Sequence, residues 1–143
     1  MIYLEKPEKF SSKFEIVSCF LEQDGKFLIL LRQDSKPQGN TWGVPAGKIE
    51  NDESASDAIL RELEEETGYR ATRNKLQLSN TVFVRYPEYD FVYHIYFLRL
   101  TSSHDVIIDP KAHKDFQWVS PQEALDKTLI PDLGACIKLH YKL

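Results

Sequence analysis

Gly47-Lys48-Ile49-Glu50-Asn51-Asp52-Glu53-Ser54-Ala55-Ser56-Asp57-Ala58-Ile59-Leu60-Arg61-Glu62-Leu63-Glu64-Glu65-Glu66-Thr67-Gly68-Tyr69 is the stretch on which the reading of this chain turns. Ala55, Ile59, Leu60 and Leu63 recur at the spacing of one helix face. Ser54 with Asp57 three residues on resembles a capping box, and Gly68 suits the left-handed position that closes a helix. The pattern predicts a helix over 54–67. On it, Glu62, Glu65 and Glu66 fall within an arc of roughly 100°. Their i,i+3 and i,i+4 spacings repel, and they sit in the last turn, where the helix dipole favours cations. Arg61 offsets part of this through Glu65 at i+4. A solvated acidic face is one reading, since Glu is a good helix former. The other is a cation site. The approach Gly43–Gly47 is glycine-rich and lets backbone carbonyls come near an ion. Carboxylate and carbonyl oxygens are what Mg²⁺ prefers, with waters and substrate phosphates completing its shell.

Outward from the helix, β-rich runs dominate. Phe14–Leu21 and Lys26–Arg32 flank Gln23-Asp24-Gly25, a hairpin signal. Gln33–Asn40 reads as a surface loop and Thr41–Asn51 as irregular. Downstream, Leu76–Tyr86 and Phe91–Leu100 read as long strands about a turn at Pro87-Glu88-Tyr89-Asp90. Asp115–Val119 reads as a short strand. Ser120-Pro121-Gln122-Glu123 is a helix start with cap, proline and capping-box Glu. A last helix is expected over Pro131–Tyr141. The order predicts an α/β fold: a mixed sheet with helices on its faces.

The 143 residues fit a single domain, 1–143, and 42% hydrophobic with 28% charged residues is a globular composition. Eighteen Lys and Arg against 22 Asp and Glu give a net charge of −4, which argues against an extended nucleic-acid surface. Cys19 and Cys136 lie far apart, and neither they nor the four histidines show metal-ligand spacing. Both cysteines are expected reduced and buried. The apolar run Phe27–Leu31 is far too short for a membrane span, and the N-terminal residues lack a signal-peptide core. The expectation is a cytoplasmic protein with no membrane partner, monomer or homodimer.

Gly47, Glu53, Arg61-Glu62-Leu63, Glu65-Glu66 and Gly68-Tyr69 resemble the Nudix box of MutT-like hydrolases. Every interval matches, and only Tyr69 departs, standing where an aliphatic residue is usual. The resemblance extends more loosely to Leu31-Arg32, Trp42-Gly43-Val44-Pro45, Trp118-Val119 and Ser120–Leu125. It implies the Nudix α/β/α sandwich with a loop–helix–loop catalytic motif. It further implies metal-dependent attack of water on a diphosphate linkage, with Mg²⁺ as cofactor and Mn²⁺ as a substitute. By position, the Gly47 carbonyl, Glu62, Glu65 and Glu66 become metal ligands. Glu62 is also a candidate base, Arg61 holds a carboxylate in place and Glu53 pairs with Arg61. Some relatives carry a further Glu six residues before the later Trp. Ala112 stands there, so Asp109, Asp115, Glu88 and Asp90 remain alternatives for the base.

Arg32 resembles the family's phosphate-contacting Arg, against the alternative of a surface charge closing a strand. Trp42, Tyr86, Tyr89 and Tyr93 offer stacking faces for a base, or are core and rim aromatics. The expected substrate is a small nucleotide, foremost a nucleoside or deoxynucleoside triphosphate cut to monophosphate and pyrophosphate. The alternatives are a diadenosine polyphosphate, on the strength of Tyr86 seventeen residues after Tyr69, and a non-catalytic nucleotide-binding module.

Overall fold

A short strand, β1 (Ile2–Tyr3), precedes the hairpin strands β2 (Ser12–Gln23) and β3 (Lys26–Arg32) in the computed structural model, which describes all residues from Met1 to Leu143. Both turn residues between β2 and β3, Asp24 and Gly25, have positive φ (53° and 76°), the turn geometry whose twist matches the strands it joins. The hairpin is paired only at its tip, Glu22 with Phe27 and Gln23 with Lys26. Beyond the tip the two strands take other partners.

Two strands then lie inside the segment expected to be irregular: β4 (Trp42–Gly43) on β3, and β5 (Ala46–Lys48) antiparallel to β2. They are short and rich in Gly and Pro, so their extended form comes from tertiary pairing rather than propensity. The predicted helix follows as α1 (Ala55–Thr67), capped by Ser54, whose side chain accepts from Asp57 N at 3.1 Å. The capping box is only half made, because the Asp57 carboxylate pairs with Arg73. Gly68 closes α1 at φ 76° and donates its N–H to Glu64 O.

After a 3₁₀ turn at Arg73–Lys75 come β6 (Gln77–Arg85), β7 (Asp90–Arg99) and β8 (His113–Val119). The helix α2 (Pro121–Leu125) begins at Ser120 with both capping-box bonds. The last helix, α3 (Leu133–Tyr141), starts two residues later than expected, because Asp132 takes a left-handed conformation at its N-cap.

The sheet runs β1-β6-β7-β2-β3-β4, with β5 added on β2 and β8 on β3. Within it β2 and β7 are parallel and the other strand pairs antiparallel. Both faces are covered, which explains apolar runs such as Phe27–Leu31 in place of strict alternation. One face buries Val17, Cys19, Leu21, Leu28, Leu30 and Leu98 against Ala58, Ile59 and Leu63 of α1. The other buries Phe20, Phe27, Ile29 and Ile95 against Leu133, Cys136 and Ile137 of α3. This is an α/β/α sandwich with a mixed sheet. Cys19 and Cys136 are free and buried. No helix is long and apolar enough to cross a membrane.

Candidate active site

The pairing of Val17 with Gly47 and of Ser18 with Ala46 lays β5 on the central strand beneath α1. Gly47 there touches the Glu62 carboxylate so closely that a Cβ at 47 would lie 2.1 Å from Glu62 Oε1. The glycine at this position serves a close approach, not a special φ. One residue before it, Ala46 N donates to Glu66 Oε1 at 2.9 Å. A two-residue piece of β5 thus meets two of the three clustered carboxylates.

Glu62 is buried, at 8% exposure, so it departs from a solvated acidic face. Arg61 explains how it is tolerated. Its guanidinium grips Glu53 in two bonds, Nε to Oε2 at 2.8 Å and Nη2 to Oε1 at 3.0 Å. Its Nη1 reaches Glu62 Oε1 at 2.8 Å, and Nη2 donates to Lys48 O at 3.1 Å. The i+4 partner that the spacing singled out, Glu65, is the weaker contact, at 3.3 Å from Nη1. Glu65 stays exposed. No three His, Cys, Asp or Glu side chains converge on a common point: Glu62 and Glu65 face Arg61, while Glu66 turns to the β5 backbone.

The electrostatics divide these acids. The Arg61 fork pulls the Glu53 carboxyl down to about 2. Burial raises Glu62 above the ordinary carboxylate range, against the opposing pull of Arg61. Burial pushes Glu66 up to about 8, and its bond from Ala46 N offsets only part of that rise. Each of these two carboxylates keeps its pKa raised despite its one hydrogen-bonded partner, an arrangement that a bound cation would relieve.

Ala46 and Gly47 also line a cavity of about 420 Å³ on the other side of β5. Its wall is aromatic, with Tyr86, Tyr89, Phe91 and Tyr93, and its charged residues are Arg32, Lys48 and Asp132. The carboxylates and the aromatic cavity are therefore contiguous at β5. Arg32 lies at this junction. Its Nε donates to Pro37 O at 2.7 Å, and it has no carboxylate within ion-pairing distance.

Among the expected stacking residues, Tyr86, Tyr89 and Tyr93 reach the cavity and Trp42 does not. Trp42 packs on the core that covers α3 and carries Lys127 Nζ 5.7 Å above its ring. It sits in β4, on the far side of β3 from β2. The loop acids also stand apart. Asp90 is paired with Arg85 and accepts from Ser11 N. Asp109 and Asp115 accept from the neighbouring Lys111 and Phe116 N–H groups, and Glu88 is exposed. None lines the cavity. Phe91, Lys48 and Asp132 were not singled out from the sequence. Alternation along β7 would have found Phe91 with Tyr93, whereas nothing local marks Asp132.

Comparison with known proteins accords with this geometry. The family model described as the NUDIX domain matches residues 13–139. The chain is 32% identical over 117 residues, 82% of its length and 83% of the relative's, to the CTP pyrophosphohydrolase of Escherichia coli (strain K12). Its fold is similar to the crystal structure of MutT protein from Methanosarcina mazei Go1, with a TM-score of 0.79, 22% identity, and 90% and 93% of the two chains covered. A bifunctional NMN adenylyltransferase/ADP ribose pyrophosphatase from Francisella tularensis, complexed with AMP and Mn ion, aligns at TM-score 0.74 and 23% identity, over 94% of this chain and 42% of that one. A family match that spans nearly the whole sequence, on a fold of the same kind, makes the chain a member of the Nudix family of hydrolases.

Proposed function

We propose that the protein hydrolyses nucleoside or deoxynucleoside triphosphates to the monophosphate and pyrophosphate, with Mg²⁺ as cofactor and Mn²⁺ as a substitute. One observation carries this reading: two carboxylates on α1, the buried Glu62 and the half-buried Glu66, meet the aromatic cavity on the same two residues, Ala46 and Gly47. The donor set fits a hard cation. It offers carboxylate oxygens from Glu62, Glu65 and Glu66 and the Gly47 carbonyl, with no sulfur or imidazole among them. The position where a Cβ would fill the space between Gly47 and Glu62 is where such an ion's ligands gather. A bound divalent cation supplies charge neutralisation for the phosphates and acidifies a water.

The residues of the chain do the rest. Arg61, locked by Glu53, fixes the orientation of Glu62, which serves as the base. Arg32 presents its free terminal nitrogens to a phosphate. Tyr86, Tyr89 and Tyr93 give a base its stacking faces. A cavity of this size has room for one nucleoside, which favours a mononucleotide over a diadenosine polyphosphate. The CTP pyrophosphohydrolase relative makes CTP the first nucleotide to try.

Pyrophosphate release with Mg²⁺ across a panel of nucleoside triphosphates, dinucleotides and nucleotide sugars, ranked by kcat/KM, tests the proposal. Glu65→Gln and Glu66→Gln should each lower kcat by at least about a hundredfold, since each removes a metal ligand and its charge. Glu62→Gln should abolish turnover while Asp109→Asn and Asp115→Asn stay near wild type. Binding without turnover of any panel member would support a nucleotide-binding module instead.

A further inference from the structure

The register between β3 and β8 slips at the end nearest the cavity. Leu31 faces Asp115 and Arg32 faces His113, so Lys114 is the extra residue of a bulge. Bulges redirect side chains, and this one sends Lys114 across to the loop 33–41. Its Nζ pairs with Asp34 Oδ1 at 2.6 Å and with the Asn40 side-chain oxygen. The pairing with Lys114 holds the Asp34 carboxyl below its usual range.

That loop is bent tightly on itself. A Cβ at Gly39 would lie 2.7 Å from Asp34 O, Gln38 and Asn40 have positive φ, and Asn40 N donates back to Arg32 O at 3.1 Å. At its apex the Pro37 carbonyl accepts from Arg32 Nε, while Pro37 and Gln38 form part of the cavity wall. With Nε bonded to the loop, the guanidinium is tethered there while its two terminal nitrogens make no hydrogen bond or ion pair within the chain.

We infer that Lys114 is a positioning residue for Arg32: by tying both ends of the 33–41 loop to β8, it holds the Pro37 carbonyl where it orients the guanidinium for a substrate phosphate. The inference rests on the phosphate-binding role given to Arg32 above. Lys114 touches neither the cavity nor the α1 carboxylates and acts through the loop alone. An ordered loop makes the bound geometry of Arg32 available before substrate arrives, which lowers the entropy lost on binding.

The experiment measures kcat and KM for Lys114→Met, Arg32→Ala and the double variant, with Mg²⁺ and CTP or whichever panel nucleotide is cut most efficiently. Lys114→Met should raise KM about threefold to tenfold with kcat within about twofold, the signature of lost preorganised binding. In the Arg32→Ala background the same change should add less than about twofold, because residues acting as one unit are not additive. Lys114→Arg, which reaches both loop oxygens, should restore wild-type KM. Should Lys114→Met fail to fold, Asp34→Ala and Asn40→Gly cut the same two ties from the exposed loop.

An unchanged KM in Lys114→Met overturns the inference and leaves the role of Arg32 intact. Equal effects of Lys114→Met with and without Arg32 also overturn it, reducing Lys114 to general loop support. If Arg32→Ala itself leaves KM unchanged, or no panel nucleotide is cut, the reading of the site fails and the inference falls with it.

Discussion

Gly47 shows how one missing atom can decide a site. Its Cα hydrogen faces the Glu62 carboxylate at a separation no Cβ tolerates. Gly47→Ala should therefore displace Glu62 or lift β5 off β2, destabilising the fold by about 1–3 kcal/mol and removing most activity. A thermal melt together with pyrophosphate release checks both effects. Glu66 makes a second prediction at this scale. Its folded-state pKa of about 8 stands above the ordinary 4.5, so the folded form binds more protons than the unfolded one between those values. The stability it contributes is fully present below about pH 4.5 and is lost as pH rises through about 8. In chelator, the melting temperature should fall across that window, and Glu66→Gln should flatten the fall. Equal pH profiles for the two proteins would show that Glu66 does not titrate there. The sequence announced the clash among Glu62, Glu65 and Glu66, and the family resemblance supplied the Arg61–Glu53 pair that the structure contains, but not the contacts of Arg61 with Glu62 Oε1 and the Lys48 carbonyl. Helical spacing offered Arg61 only its i+4 neighbour. Folding brings Glu53 to it from the loop before α1, as the resemblance implied, and adds the Lys48 carbonyl from β5.

Elements whose signals are local were legible to within a residue or two. The helix α1 carries its own periodicity, its serine cap and its closing glycine, and the β2–β3 hairpin carries its Asp-Gly turn. The left-handed Gly68 is close to irreplaceable, since a Cβ there would be strained and would sit 3.2 Å from Ile107 Cβ. Gly68→Ala should lower stability by about 1 kcal/mol, read as a shifted denaturant midpoint with unchanged slope. Ser120→Ala should lose a similar amount through the α2 capping box. By contrast, β4 and β5 were invisible, because Ala46-Gly47-Lys48 has no strand propensity and is extended only by lying on β2. Trp42 misled for a related reason. An aromatic beside a glycine-rich turn suits a rim as well as a core, and only the pairing of β4 with β3 puts it away from the cavity.

At the scale of the molecule, order along the chain was readable and adjacency was not. Nothing local says that β2 pairs in parallel with β7, yet this pairing brings Phe91 and Tyr93 to the cavity that β5 borders. The site has two halves: the carboxylates, written in one continuous stretch, and the cavity wall, collected from many. Ligand binding should tie them together. Without metal, Glu65→Gln should melt at or above wild type, since Glu65 gains little from Arg61 and repels its neighbours. At saturating Mg²⁺ the order should reverse, because wild type gains roughly 2.7 kcal/mol at a hundredfold excess over Kd. Melts in chelator and in millimolar Mg²⁺ decide it, and a variant clearly less stable in chelator would give Glu65 a structural partner.

The parallel β2–β7 seam also sets a timetable. Partners along it, such as Glu22 and Arg99, lie 77 residues apart in the chain, so a large loop must close before either strand is rewarded. The hairpin and α1 can form early and locally, but β5 has nothing to lie on until β2 is seated. Catalytic competence is therefore the last property to return on refolding. Helical signal should recover ahead of activity, and Ile95→Val in β7, on the seam whose closure limits folding, should slow refolding. Activity that returned before the sheet signal in stopped-flow refolding would contradict this order.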